Sequence, residues 1–138
     1  MPEVTLIDTN VLLDLATDDP DWATWSLRQL ETATARGALL INHIVYAELS
    51  VGFERIEEVD AFLTGAALEM VPVPHAALFL AGKAFRRYRA RGGTRTGVLP
   101  DFFVGAHAAV AELPLLTRDV TRYRAYFPTV TLITPSAA

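Results

Sequence analysis

Four acids stand where an apolar run has just ended or a helical pattern has just begun. Asp8 follows Val4-Thr5-Leu6-Ile7, Glu48 lies in Tyr46-Ala47-Glu48-Leu49, Asp101 follows Leu99-Pro100, and Asp119 follows Leu115-Leu116-Thr117-Arg118. Spacings of 40, 53 and 18 residues mean that these carboxylates can meet only in a folded chain. Hard divalent cations such as Mg²⁺ or Mn²⁺ take carboxylate and water oxygens, whereas several acids clustered without a cation repel one another and their pKa values rise. Convergence of the four therefore implies a metal, and a carboxylate-held metal can lower the pKa of a bound water.

Each acid also has a plainer reading when taken alone. Asp8 can cap the helix that Val11, Leu12 and Leu13 begin, Glu48 can lie on the polar face of an ordinary helix, and Asp101 can complement a helix dipole. What favours the chemical reading is that all four recur at similar element ends.

Those ends are set by alternating elements. Val4 to Ile7 is a β-branched, apolar run suited to a buried strand, and it delivers Asp8 to its carboxyl end, where ligands bind in open α/β sheets. Asn10 to Ala16 reads as a short helix, and a second helix starts with Asp19 as N-cap and Pro20 at its first position and runs to Arg36, ended by Gly37. Trp22, Trp25, Leu27, Leu30 and Ala33 fall at helical spacing along it, and its two tryptophans suggest a contact surface. Ala38 to Asn42 suits a second buried strand, followed by the helix that carries Glu48. Ile56 to Leu63 reads as a helix, Leu68 to Val73 as an edge-type strand closed by proline, and Pro74 begins the longest helix. Gly92 to Gly97 is a loop, and Pro100 opens the helix of Asp101. Leu113 to Thr117 gives a fourth strand, Tyr123 to Phe127 a short helix, and Val130 to Ile133 a last strand. The alternation indicates an α/β sandwich of three layers around a mainly parallel sheet of four to five strands.

At 138 residues the chain has the length of one domain, able to bury roughly two-thirds of the surface its unfolded form exposes. With 51% apolar and 20% charged residues it is globular in composition and unlike disordered chains. The absence of cysteine excludes thiolate metal sites, disulfides and cysteine nucleophiles and suits a reducing compartment. No leader-like start and no stretch near the ~20 apolar residues of a membrane span can be read, so a cytoplasmic protein is expected.

The net charge of −4 argues against a generic nucleic-acid coat, but the charges are unevenly spread. Lys83 to Arg95 holds six bases and no acid, whereas Asp14 to Asp21 holds four acids and no base. Arg86, Arg87, Arg89, Arg91 and Arg95 could complement a helix C-terminus or grip phosphate. His43, His75 and His107 are not spaced as a metal triad and read as helix-end or core-edge residues. A phosphatase of the haloacid-dehalogenase type needs an acid where Asn10 stands, and a receiver domain needs a lysine at a strand end, whereas Lys83 lies within a helix.

Four segments together resemble a known family: Ile7-Asp8-Thr9-Asn10-Val11-Leu12, Tyr46-Ala47-Glu48-Leu49 with Gly52, Pro100-Asp101-Phe102-Phe103-Val104-Gly105-Ala106-His107-Ala108, and Leu116-Thr117-Arg118-Asp119-Val120 with Tyr126-Phe127-Pro128. In order and spacing they are similar to PIN domains, and most closely to the VapC-type ribonuclease toxins of prokaryotic toxin–antitoxin pairs. The likeness runs nearly end to end and implies one PIN domain over residues 1–138. It implies a Mg²⁺- or Mn²⁺-dependent endoribonuclease whose metal ligands are Asp8, Glu48, Asp101 and Asp119, supported by Asn10 and Thr117. Cations so held would activate a water in line with a phosphodiester and neutralise charge on the phosphate oxygens. It further implies an RNA substrate, a VapB-like antitoxin that inserts a segment into the acidic pocket, and a homodimer that assembles further with that antitoxin. The arginines Arg86 to Arg95 would then hold the RNA backbone. A catalytically degenerate PIN fold that only binds RNA or protein is the competing expectation.

Overall fold

The computed structural model describes residues 2–135. Its elements in chain order are β1 (Thr5–Ile7), α1 (Thr9–Ala16), α2 (Ala23–Arg36), β2 (Leu39–Asn42), α3 (His43–Ser50), α4 (Ile56–Gly65), β3 (Leu68–Val71), α5 (His75–Ala90), α6 (Pro100–Ala111), β4 (Leu115–Leu116), α7 (Thr121–Tyr126) and β5 (Leu132–Ile133). The strands form one sheet in the order β3-β2-β1-β4-β5, and each neighbouring pair is parallel. The sheet expected to be mainly parallel is wholly so.

Parallel strands need crossover connections, and right-handed crossovers put the helices of the outward run β1 to β3 on one face and those of the return on the other. In keeping with this, α1 packs on α2 and α3, while α6 packs on α5 and α7; α3 and α6 also meet. With both faces covered, the central strands have no wet side. Thr5, Leu6 and Ile7 of β1, Leu39 and Ile41 of β2, and Leu115 and Leu116 of β4 are all buried, each large apolar side chain contributing roughly 1.5–3 kcal/mol. The edge strand β3 differs: Glu69 and Met70 are exposed. Because the strand order reverses at β1, its carboxyl end and that of its neighbour β4 border a crevice. The Asp8 amide bonds the Leu116 carbonyl across that end at 2.9 Å.

Local chemistry sets most boundaries. Asn42 caps α3 by accepting from the amides of Ile44 and Val45, both at 3.0 Å. Asp19 accepts from the amides of Asp21 and Trp22 as a cap should, but residues 20–22 form a turn, and regular helix begins at Ala23 rather than at Pro20. Helix α7 begins at Thr121, two residues earlier than the sequence suggests, because the Asp119 carboxylate accepts from the Thr121 amide at 3.3 Å and supports its first turn. Gly92, at φ 91°, follows α5 in the left-handed region that glycine adopts readily.

An aromatic cluster ties α5, α6 and α7 together. Phe102 lies 6.3 Å from Phe85, 5.7 Å from Tyr88, 5.4 Å from Tyr126 and 6.3 Å from Phe127, centroid to centroid. Gly105 lets Phe127 in, since a Cβ there would stand 2.4 Å from its ring. On α2, Trp22 and Trp25 meet edge to face at 6.0 Å, Trp25 packs on the core, and the Arg118 guanidinium lies 4.8 Å from the Trp22 ring. Both tryptophans are thus half-buried within the chain, and Leu27 is the large apolar residue that α2 leaves exposed. No helix among the described residues is long and apolar enough to cross a membrane.

Candidate active site

Asp8 leaves β1 and caps α1, so the capping and the chemical readings meet in one residue. Its Oδ1 accepts from the Thr9 amide at 2.8 Å. Its Oδ2 faces inward and accepts from the Thr117 hydroxyl at 2.8 Å and the Tyr123 hydroxyl at 2.7 Å, with the Asn10 amide at 3.4 Å. Burial pushes its carboxyl up from 3.8 to about 6, although the Tyr123, Thr117 and Thr9 hydrogen bonds and the nearby Asp101 charge also act on it. A simple cap would not need this surplus of donors.

Thr117 is the hub of the β4 side. Its hydroxyl donates to Asp8 and accepts from the Asn10 side chain at 3.1 Å and the Asp119 amide at 3.1 Å. Asn10 completes the link by accepting from the Arg118 amide at 3.0 Å. Glu48 reaches the same region from the second turn of α3, where Oε1 accepts from the Thr9 hydroxyl at 2.7 Å. Its carboxyl is raised mainly by burial, with Asp101 adding repulsion. Asp101 stands in the first turn of α6 and is raised mainly by burial, opposed by Arg122 and reinforced by Asp119. Arg122 bonds its Oδ2 at 3.0 Å.

The four expected acids therefore line one cleft, together with Thr9, Asn10, Leu13 and Val51. Size does not single it out: its volume is about 370 Å³, against about 480 Å³ for a hollow at the amino ends of β4 and β5 lined by Glu3, Glu112 and Pro114. What distinguishes it is that acids from the end of β1, α3, α6 and the β4–α7 loop line it together, with Asp101 repelling Asp8 and Glu48 and repelled in turn by Asp119. Among the described residues no three acids or histidines already surround one point that would hold a metal ion. The donor set nevertheless fits a hard cation: carboxylate oxygens, hydroxyls that orient them, and a repulsion that a cation would relieve.

A sequence model of the PIN domain matches residues 5–128. The chain belongs to the PIN domain family. Three solved structures share its fold. VapBC2 from Rickettsia felis, bound to a DNA fragment from its promoter, gives a TM-score of 0.73 at 20% identity, covering 96% of this chain and 99% of that one. VapBC-1 from nontypeable Haemophilus influenzae gives 0.70 at 17% identity, covering 95% and 97%. DNA-bound VapBC from Salmonella typhimurium gives 0.68 at 19% identity, covering 97% and 98%. No curated protein matches the chain in sequence.

The basic run of this PIN domain lies apart from the cleft. Arg86, Arg87, Arg89, Arg91 and Arg95 are exposed and none lines the acids. Arg87 donates to the Tyr126 carbonyl at 3.3 Å, Arg91 sits 5.2 Å from the Tyr126 ring, and Arg89 donates to the Arg95 carbonyl at 2.8 Å. His43 and His75 open α3 and α5. His107 is buried in α6 and accepts at Nδ1 from the Asn42 amide at 3.1 Å, because Asn42 Oδ1 already takes two backbone donors; burial lowers its pKa and keeps it neutral.

Sequence reasoning did not single out Thr9, Tyr123, Arg122 or the Asp14–Arg118 pair. Asp14, only 2% exposed, accepts from Arg118 at 2.7 and 2.8 Å and from Ser26 at 2.7 Å, which anchors the residue between Thr117 and Asp119. The one available signal was that Arg118 and Arg122 flank Asp119.

Proposed function

We propose that this PIN domain is a metal-dependent endoribonuclease, the toxin of a toxin–antitoxin pair. The observation that carries this reading is the meeting of Asp8, Glu48, Asp101 and Asp119 at the carboxyl ends of β1 and β4, with Asp8 raised to about 6. These four residues would hold Mg²⁺ or Mn²⁺. A cation so held supplies an activated water and neutralises charge on a phosphate. The chain's own groups do the rest. Thr117 and Tyr123 fix the rotamer of Asp8, Thr9 fixes Glu48, and Asn10 locks the loop after β4 against α1. No side-chain nucleophile is required.

The partners follow from the same cleft and from the fold's neighbours, which are VapBC toxin–antitoxin complexes. An acid-lined cleft accepts an arginine-bearing antitoxin segment through charge-assisted bonds. A homodimer is proposed as the unit that receives it, and the exposed arginines Arg86 to Arg95 as a secondary RNA surface. Coexpression with the neighbouring gene should copurify a small partner, and light scattering should give twice the mass of the chain.

The decisive experiment joins binding to cleavage. Mn²⁺ should raise the melting temperature by binding only the folded state, and the protein with Mn²⁺ should cut single-stranded RNA internally. A wild type that gains no stability from Mn²⁺ and leaves RNA intact overturns the proposal and favours a binding module.

A further inference from the structure

Four acids around one cleft and a net charge of −4 set an electrostatic problem for any substrate made of phosphates. A cation on the cleft's rim would solve it, and the α5 arginines do not line the cleft. Arg122 does not line it either, but it bonds Asp101, an acid that does. Arg122 follows Thr121, whose amide bonds the Asp119 carboxylate, and precedes Tyr123, whose hydroxyl is fixed on Asp8, so its backbone is held from both sides. Its guanidinium lies 5.7 Å from the ring of Tyr88 and 5.7 Å from that of Phe102. Ring faces favour a planar cation and hold its orientation without using up its N–H donors.

Arg122 spends one donor, Nη1, on Asp101 Oδ2 at 3.0 Å. A guanidinium has five N–H donors in a rigid fork that matches two phosphate oxygens, so most remain to be used. Both partners of the pair are about one-third exposed, at 34% and 30%, and a pair so open to water is weak. Exchanging its carboxylate for a phosphate is therefore easy.

We propose that Arg122 binds a non-bridging phosphate oxygen of the RNA strand at the rim of the acid cleft, and that its pair with Asp101 is its resting position. This assignment rests on the nuclease reading above. It makes Arg122 the substrate-binding cation nearest the reacting phosphate, with the α5 arginines farther out.

The test compares the full-length wild type with Arg122→Gln, Arg122→Lys and, as a charge-matched control on the same helix, Arg124→Gln. Arg124 is exposed and, unlike Arg122, pairs with no acid among the described residues. Binding of a labelled, mixed-sequence single-stranded RNA is measured at several salt concentrations with Ca²⁺ in place of Mn²⁺ to stop cleavage. Arg122→Gln should bind about tenfold more weakly, as expected for one charge-assisted contact, with a log–log salt slope shallower by roughly 0.7. Arg122→Lys should restore the slope but only part of the affinity, and Arg124→Gln should match the wild type. The melting-temperature gain with Mn²⁺ should be at least as large in Arg122→Gln as in wild type, which shows that the fold and the acid cleft are intact. Arg122→Gln with wild-type affinity and slope overturns the assignment while leaving the nuclease reading in place. Loss of the Mn²⁺ gain together with RNA binding in that variant also overturns it, because Arg122 would then only neutralise Asp101. A wild type that binds RNA but neither gains stability from Mn²⁺ nor cleaves overturns the nuclease reading.

Discussion

The acid cleft and the basic run Lys83–Arg95 are both local excesses of one charge, and the fold treats them in opposite ways. In the cleft, like charges are drawn together from four elements and held by hydroxyls and amides rather than by matching cations, Arg122 excepted. Along α5 the arginines stay in water, and the contacts they make run to carbonyls and a ring of neighbouring elements. Organised repulsion has to be held in place by the fold, whereas a solvated run of one charge does not. The contrast teaches that the cleft, unlike the α5 surface, is where the fold itself holds unfavourable electrostatics in place.

The largest effect should come from the proposed ligands. Asp8→Asn and Asp101→Asn should each lower RNA cleavage by more than the roughly 100-fold that loss of a supporting partner costs. Circular dichroism should show the fold retained. Wild-type cleavage by either variant, at matched Mn²⁺, would break the comparison at its acidic half.

The supporting hydroxyls should come next. Tyr123→Phe and Thr117→Val each remove a donor from Asp8 Oδ2 while keeping most of the side-chain volume. We predict Mn²⁺ affinity lower by about 10–100-fold in each, read from titrations of melting temperature against metal. Affinity unchanged in both would mean that the orientation of Asp8 does not matter.

Two buried acids of the same chain should respond with opposite signs. Asp14 is met by a bidentate arginine, and Asp14→Ala should destabilise the fold by about 3 kcal/mol, the low end for a broken buried pair. Asp8 is met by no cation. The unfolded chain releases its proton near 3.8 and the folded chain near 6, so the folded state binds more protons between those values. Metal-free stability should therefore fall as pH rises from about 4 to about 6 and stay low above that, by up to about 3 kcal/mol. Asp8→Asn should remove the Asp8 share of that fall, leaving what Glu48 and Asp101 contribute, and be the more stable protein at pH 7 without metal. Denaturant melts of the two variants and the wild type at pH 4.5 and pH 7 decide it. A metal-free Asp8→Asn less stable than wild type at pH 7 would mean that the cleft is not held under strain.

These residues also show what a sequence can disclose. Strands β1, β2 and β4 are legible because a covered parallel strand must be apolar throughout, and an acid directly after such a run has few places to go except the crevice. Asp8 and Asp119 are visible by that logic, whereas Glu48 and Asp101 show only as acids within or at the start of apolar helical patterns. Tyr123 is not visible, because an aromatic residue in a short helix looks like packing, and nothing local says that its hydroxyl meets a carboxylate 115 residues away. Asp14 looks like part of a solvated acidic stretch until Arg118 arrives from the loop after β4, the strand beside β1. The basic run is visible for the converse reason: adjacency in sequence makes a patch, while no such run marks Arg122. The start of α2 is misleading because Asp19 makes the bonds of a cap without starting a regular helix.

The smallest expected effect concerns that basic run. Arg87 and Arg91 lean on Tyr126, Tyr126 packs against Phe102, and Phe102 neighbours both Asp101 in sequence and Arg122 in space. A strand gripped at Arg122 would thus have the α5 arginines near its onward path, where water screens each interaction. Replacing Arg87, Arg91 and Arg95 together with Gln should make the log affinity versus log salt slope shallower by roughly 0.7 for each phosphate that is no longer neutralised, about 2 at most. Binding should weaken alike for every RNA sequence, while the cleavage rate at saturating RNA stays unchanged, since none of the three lines the cleft. A slope equal to that of the wild type would assign these arginines to bracing α5 against α7, and would leave Arg122 and the carboxylate-held cation as the grip on RNA.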